Sequence, residues 1–439
     1  MSSSVSIERY RKIVSQTEVI KCRGHVVKVI GLTIEAEAPS GEIGEICHIY
    51  NINETSYIQA EIVGFKNDRV LLMPYGELEG IGPGSKILLT NRKFMVSVGL
   101  DLIGRILDGF GNPIDGKGYI EAGERTSIHN PPPHPLNRQR IQTPLVLGIR
   151  SIDGLLTCGR GQRLGIFSGS GVGKSTLLGM IARNTQAEVN VIALIGERGR
   201  EVRDFIEKDL KEEGLRRSVL VVATSDQPPL VRLRAAFVAT AIAEFFRSQG
   251  RDTLLMMDSL TRFAMAQREI GLAIGEPPIS RGYTPSVFAI LPKLLERVGC
   301  GEKGSITGLY TVLVDGDDFN EPISDAARGI LDGHIVLSRD LANRNHYPAI
   351  DVLNSVSRLM PDIVMPEHYR AAARVKALMA AYTEARDLIN IGAYRRGSNA
   401  EVDEAIEKMP RINSFLQQAV NEMTDYDDTR QRLYSIANS

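Results

Sequence analysis

The run Ser168-Gly169-Ser170-Gly171-Val172-Gly173-Lys174-Ser175-Thr176 carries the strongest chemistry in this sequence. It follows the apolar run Leu164-Gly165-Ile166-Phe167 and precedes Leu177-Leu178-Gly179-Met180-Ile181. That order reads as strand, glycine loop, helix. Glycines let successive backbone N–H groups converge on a phosphate, and a helix N-terminus adds positive potential. Residues 169–176 therefore form a candidate nucleotide cradle. Lys174 would reach the β- and γ-phosphates, and Ser175 would ligate Mg²⁺. Ser168 stands at the first motif position, where Gly or Ala is usual, and Ser is small enough for that turn.

Such a loop needs a further carboxylate on the metal side. Leu254-Leu255-Met256-Met257-Asp258 is an apolar strand pattern ending in Asp, which puts Asp258 at a strand's carboxyl end. Hydrolysis also needs a group that orients or deprotonates the attacking water. Glu197 follows the apolar run Val191–Ile195 and is the candidate; Glu201 is its rival, better suited to pairing with a neighbouring Arg or to a first helical turn. No Asn-Lys-x-Asp motif for guanine is present, so ATP is preferred to GTP. The acidic run Asp315-Gly316-Asp317-Asp318 reads as a solvated turn rather than a metal site. The seven histidines form no ligand pair at helical spacing, so no transition-metal site is assigned.

These residues need elements to hold them. Between about residues 144 and 357, short apolar runs alternate with helical patterns such as Val202, Phe205, Ile206 and Leu210. Buried strands separated by helices predict a mainly parallel sheet covered on both faces. Before it, residues 20–98 switch to period two, as in Leu32-Thr33-Ile34-Glu35-Ala36-Glu37, which predicts a small antiparallel barrel or sandwich. Residues 104–116 read as consecutive turns, and Pro131-Pro132-Pro133 as an extended connector. After Pro366 the chain turns helical, with Gly392 as a stop, Asn399 as a cap and a helix ending near Pro410. Ile7, Tyr10, Ile13 and Val14 make a short amphipathic arm over residues 1–19. The division expected is thus arm 1–19, barrel 20–98, ATPase domain 99–360 and helical domain 361–439.

Composition narrows the partners. The 439 residues carry 52 Lys+Arg and 53 Asp+Glu, a net charge of -1, and no Trp. A balanced charge and few stacking platforms argue against nucleic acid as a partner. Cys22, Cys47, Cys158 and Cys300 lack metal or C-x-x-C spacing and read as reduced, mostly buried thiols. No run reaches about 18 apolar residues. The expectation is a cytoplasmic chain that meets a membrane only peripherally, through partners.

Residues 104–116, the loop Ser168–Thr176, Gly196–Val202, Asp258-Ser259-Leu260-Thr261-Arg262 and Asn354-Ser355-Val356-Ser357-Arg358 together resemble the rotary-type ATPase family. The resemblance covers nearly the whole chain. It is closest to the type III secretion ATPases through Ala264–Ile270 and Gly275-Glu276-Pro277-Pro278. Residues 294–325 look most like the flagellar export branch. The resemblance implies a RecA-like α/β P-loop core with an N-terminal β-barrel and a C-terminal helical domain. It implies that Glu197 activates water, since non-catalytic relatives carry Gln there. It places Arg198 and Arg262 near the γ-phosphate, Tyr347 on the adenine, and Arg358 as an arginine finger reaching the adjacent subunit of a homo-hexamer. ATP and Mg²⁺ are the implied substrate and metal. The implied partners are a stator-type regulator met by the arm, a central stalk protein, the export gate, and chaperone–substrate complexes. An injectisome ATPase shares every one of these catalytic residues. A hexameric RNA-translocating motor is the reading from another class, which charge and the absence of Trp disfavour.

Overall fold

Period-two alternation closes on itself in the first part of the chain. The computed structural model describes residues 23–120, 123–314 and 318–438. The expected arm, Cys22 and the Asp315–Asp317 part of the acidic run lie outside them. The described residues fall into two compact units, one holding those up to residue 94 together with 272–276, the other holding the rest.

In the first unit, β1 (Arg23–Ile30), β2 (Thr33–Glu37), β3 (Glu45–Tyr50), β4 (Tyr57–Lys66), β5 (Arg69–Pro74) and β6 (Lys86–Lys93) form a closed barrel ordered β1-β2-β5-β4-β3-β6. Its inward residues, among them Ile34, Cys47, Ile49, Ile62 and Leu72, are fully buried. Asn67 and Asp68 both take positive φ between β4 and β5, as a two-residue hairpin turn demands. Burial pushes the Cys47 thiol up to about 12, so it serves as a small apolar side chain.

The second unit contains β7 (Met95–Val98), β8 (Ile106–Asp108), β9 (Glu124–Ser127), β10 (Arg163–Ser168), β11 (Val189–Ile195), β12 (Ser218–Ala223), β13 (Asp252–Asp258), β14 (Gly299–Cys300), β15 (Ser305–Leu313), β16 (Gly333–Leu337) and β17 (Ile350–Ser357). Strands β7 and β9 pair with each other. The others form a nine-stranded sheet ordered β17-β16-β10-β15-β13-β11-β12-β8, with β14 beside β15. From β16 to β8 along this order the pairing is parallel, and β17 runs antiparallel to β16. Strands β11, β12 and β15 are buried almost throughout, which is why they read as mainly apolar runs.

The turns at 104–116 are pinned by Arg105, whose guanidinium donates to both Asp115 oxygens at 2.7 and 2.9 Å. The C-terminal helices Pro366–Asn390, Ala400–Leu416 and Tyr426–Asn438 share one core with the sheet's helices through Val375, Leu378, Ile412 and Leu433. Gly392 follows the first of them at φ 70°. Asn399 caps the second, its side chain accepting from Glu401 N at 2.9 Å. That helix does not stop near Pro410. It continues to Leu416, because Ile412, Phe415 and Leu416 are all buried beyond the proline. One lost hydrogen bond is outweighed by that burial.

Candidate nucleotide and catalytic site

Strand β10 ends at Ser168, and the helix Lys174–Asn184 starts after the loop. Gly171 and Gly173 bend the loop with φ of 79° and 91°. At Gly173 a Cβ would also come within 3.5 Å of the Tyr347 ring. That is an ordinary contact distance, so the turn is what calls for glycine.

Parallel strands deliver the charged groups to the same end of the sheet. Asp258 closes β13, which is separated from β10 by the single strand β15. Leu194 of β11 is level with Asp258, so Glu197 lies just past the neighbouring strand end. Lys174 Nζ donates to Asp258 Oδ1 and lies 3.5 Å from Glu197 Oε1. All three side chains are largely withdrawn from solvent, Asp258 the most. Burial pushes the Glu197 carboxyl up to about 7; Lys174 opposes that rise, while Asp258 and a hydrogen bond to Glu201 add to it. Burial alone would depress Lys174, but Asp258 and Glu197 outweigh it and hold the ammonium above its ordinary value. The structure separates the two glutamates that spacing left as rivals. Glu201 sits in the first turn of the helix Gly199–Asp204, about half exposed, and accepts from Arg198 at 3.3 Å.

Tyr347 precedes β17 at the P-loop end of the sheet. With Gly171, Val172, Thr176, Gln418 and Val420 it lines a cavity of about 310 Å³. Gln418 was not legible as a site residue. Its buried amide accepts from Arg150 N at 2.9 Å and donates to Gly148 O and Glu422 O, both at 2.9 Å. Its own N–H donates to the Tyr347 carbonyl at 3.0 Å. Arg150, also buried, donates to Phe415 O at 2.9 Å and to Gln417 O, and pairs with Glu422.

The arginines divide. Arg262 lays its aliphatic chain over Gly196, where a Cβ would approach it at 3.0 Å. Arg198 is exposed at the mouth of a helix. Arg358 follows the antiparallel strand and so lands at the opposite end of the sheet. Its N–H donates to Asp332 O, and Asp332 N donates to Arg163 O at the start of β10. Five residues of β10 separate that level from Ser168, roughly 16 Å at about 3.3 Å per residue. Within one chain, Arg358 is not brought to Lys174, Asp258 and Glu197.

A phosphate loop at the carboxyl end of one parallel strand, with two carboxylates at the same end of two further strands of the sheet, defines a P-loop nucleoside triphosphatase of RecA-like architecture. The β-barrel domain of the ATP synthase alpha/beta family matches residues 26–91, that family's nucleotide-binding domain residues 148–357, and the T3SS EscN ATPase C-terminal domain residues 364–435. The flagellum-specific ATP synthase of Bacillus subtilis is 55% identical over 96% of this chain and 97% of its own length. The assembled ATPase EscN from the enteropathogenic E. coli type III secretion system superposes with a TM-score of 0.88 at 47% identity, over 94% of this chain and all of that one. The same ATPase has been solved in complex with its central stalk EscO, at a TM-score of 0.87, 47% identity and the same coverage. The chain belongs to the ATP synthase alpha/beta family, in the branch of the flagellum-specific ATP synthases and type III secretion ATPases. It is an ATPase.

Proposed function

We propose that the chain is the ATP-hydrolysing motor of a flagellar type III export apparatus, working as a homo-hexamer. The observation that carries the ring is the position of Arg358 at the far end of the sheet from its own phosphate loop. A finger placed there can serve only a neighbouring chain's nucleotide. In such an interface, residues 169–176 hold the phosphates and Tyr347 stacks on adenine. Lys174 leaves Asp258 for the β- and γ-phosphates, freeing that carboxylate. Glu197 then orients the attacking water and takes its proton. Arg198 and Arg262 are proposed to lie near the γ-phosphate. Arg358 of the adjacent chain stabilises charge in the transition state, a contribution of about 10³–10⁵ in rate.

The oxygen donors Ser175 and Asp258 suit Mg²⁺, which is held by few protein groups and by substrate phosphates. Among the described residues no cluster of three or more His, Cys, Asp or Glu competes with them. Held by Ser175 and Asp258, the ion would supply neutralisation of phosphate charge.

Export substrates held by chaperones, an export gate and a stator-type regulator are the proposed partners. A central stalk is proposed from EscN's complex with EscO. Association with the inner membrane would be peripheral; no described helix is long and apolar enough to cross one. The higher identity to the Bacillus subtilis flagellar protein favours flagella over an injectisome.

Filament counts in the source cells test this. Deleting the gene should abolish filaments. Wild type should restore them, and Glu197→Gln should restore them poorly. Normal filaments in the deletion strain would move the injectisome reading to first place.

A further inference from the structure

We propose that Thr311 is a positioning residue for Asp258, fixing which carboxylate oxygen stays with the protein and which is presented to the metal side. The proposal rests on the ATPase reading of this site.

Strand β15 lies between the phosphate-loop strand β10 and the Asp258 strand β13. Thr311 is level with Ile166 of β10, two residues before the loop begins. Its side chain is fully buried in a strand that is itself buried almost throughout. Valine would fill that space with the same branched shape and the same preference for a strand. The hydroxyl is therefore the feature that packing does not explain. It donates to Asp258 Oδ1 at 2.7 Å, the short range of a charge-assisted O–H···O⁻ bond. The Met257 carbonyl, at 3.4 Å, is a much poorer acceptor for the same proton.

Lys174 also donates to Oδ1. The two donors differ in what else they can do. Lys174 sits at the mouth of the loop, and nucleotide phosphates compete for its ammonium. Thr311 is enclosed in the sheet and has no such alternative. Once phosphate draws Lys174 away, Thr311 is the donor that keeps Oδ1 committed and stops the carboxylate from turning about its Cβ–Cγ bond. Oδ2 is then the oxygen offered to the Mg²⁺ side. A carboxylate free to rotate would hold the ion's water shell in more than one arrangement, and small errors of placement are costly in rate.

The test compares full-length wild type with Thr311→Val, Thr311→Ala and Thr311→Ser. Binding of a fluorescent ADP analogue is measured in EDTA and across a MgCl₂ titration, beside steady-state ATP hydrolysis. In EDTA all four should bind alike. Added Mg²⁺ should tighten binding for wild type and Ser, and about 10-fold less for Val and Ala, the size expected for one hydrogen bond to a charged group. The half-saturating Mg²⁺ for hydrolysis should rise by a similar factor in Val and Ala, and kcat should fall about 10-fold or more. Val tracking wild type in Mg²⁺, Ser tracking Val, or weakened binding already in EDTA would each overturn the proposal. If Val does not fold, the Ala and Ser pair decides. A wild type that hydrolyses no ATP would instead remove the functional reading on which the proposal stands.

Discussion

Glu197 combines two demands that oppose each other. A general base works best with a pKa near the operating pH, and burial is what brings a carboxyl up to that range. Here the carboxyl is pushed up to about 7, burial leading and Asp258 adding, against the pull of Lys174. A carboxyl raised in the fold keeps its proton between about 4.5 and 7, where the unfolded chain has already lost it. Stability is therefore lost as pH rises through that window, and no more is lost above it. Gln in its place resembles the protonated side chain and escapes the loss. Glu197→Gln should thus match wild type near pH 4.5 and gain on it up to about pH 7. The gain is then constant, on the order of 3 kcal/mol at most. Lys174 is held above its ordinary value and stays charged throughout, so it does not blur the comparison. Melting curves of both proteins at several pH values measure this, and a difference independent of pH would refute it. The same residue marks how far spacing could go. The loop at 168–176 was legible because convergent N–H groups require glycine at fixed places. Spacing favoured Glu197 over Glu201 without separating them fully, since both follow one strand; burial separates them, and burial comes from tertiary packing.

At the level of elements, the nucleotide pocket is closed by a segment far along the chain. Residues 417–422 join two C-terminal helices and are tied down on several sides. Arg183 at the end of the phosphate-loop helix donates to Val420 O at 2.7 Å. Lys211 donates to Asn421 Oδ1 at 2.8 Å, and Arg150 grips the Gln417 carbonyl and Glu422. Gln418 passes this restraint to Tyr347 through its N–H. None of that was readable, because a glutamine after a helix has no periodic or motif signal. The helix leading into the segment also continued past Pro410, which local rules place near its end. Removing the Gln418 amide leaves buried donors and acceptors without partners, a loss that is usually larger than the net value of the bonds themselves. It does not touch Lys174, Asp258 or Glu197. Gln418→Ala should therefore raise KM for ATP about 10-fold while kcat changes less than about 3-fold, the pattern of lost ground-state binding. Steady-state kinetics decide it. A fall in kcat at unchanged KM would mean the segment acts on the chemistry and not on base placement.

For the whole molecule, the antiparallel strand β17 divides the labour. It starts beside Tyr347 at the phosphate-loop end and finishes at Arg358 beside the amino end of β10, so one strand carries these two residues to opposite ends of the sheet. The parallel pattern of the other strands was plain in their apolar runs. The reversed direction of β17 was not, and it is what sends Arg358 away from its own phosphate loop. The consequence can be tested by mixing two inactive chains. Arg358→Ala keeps Glu197 but offers no finger, and Glu197→Gln keeps the finger but has no base. Each alone should form rings with little turnover. In a mixed ring, a site where an Arg358→Ala chain holds ATP beside a Glu197→Gln neighbour has both groups again. With random order and equal amounts, about one site in four is restored, so the mixture should recover up to roughly a quarter of the wild-type rate. The recovery should grow with total protein concentration as rings assemble, and should vanish when the two proteins are diluted below assembly before mixing. A mixture that stays at the average of its two parents, under conditions where light scattering shows rings, would mean that Arg358 does not act across the interface between neighbouring chains.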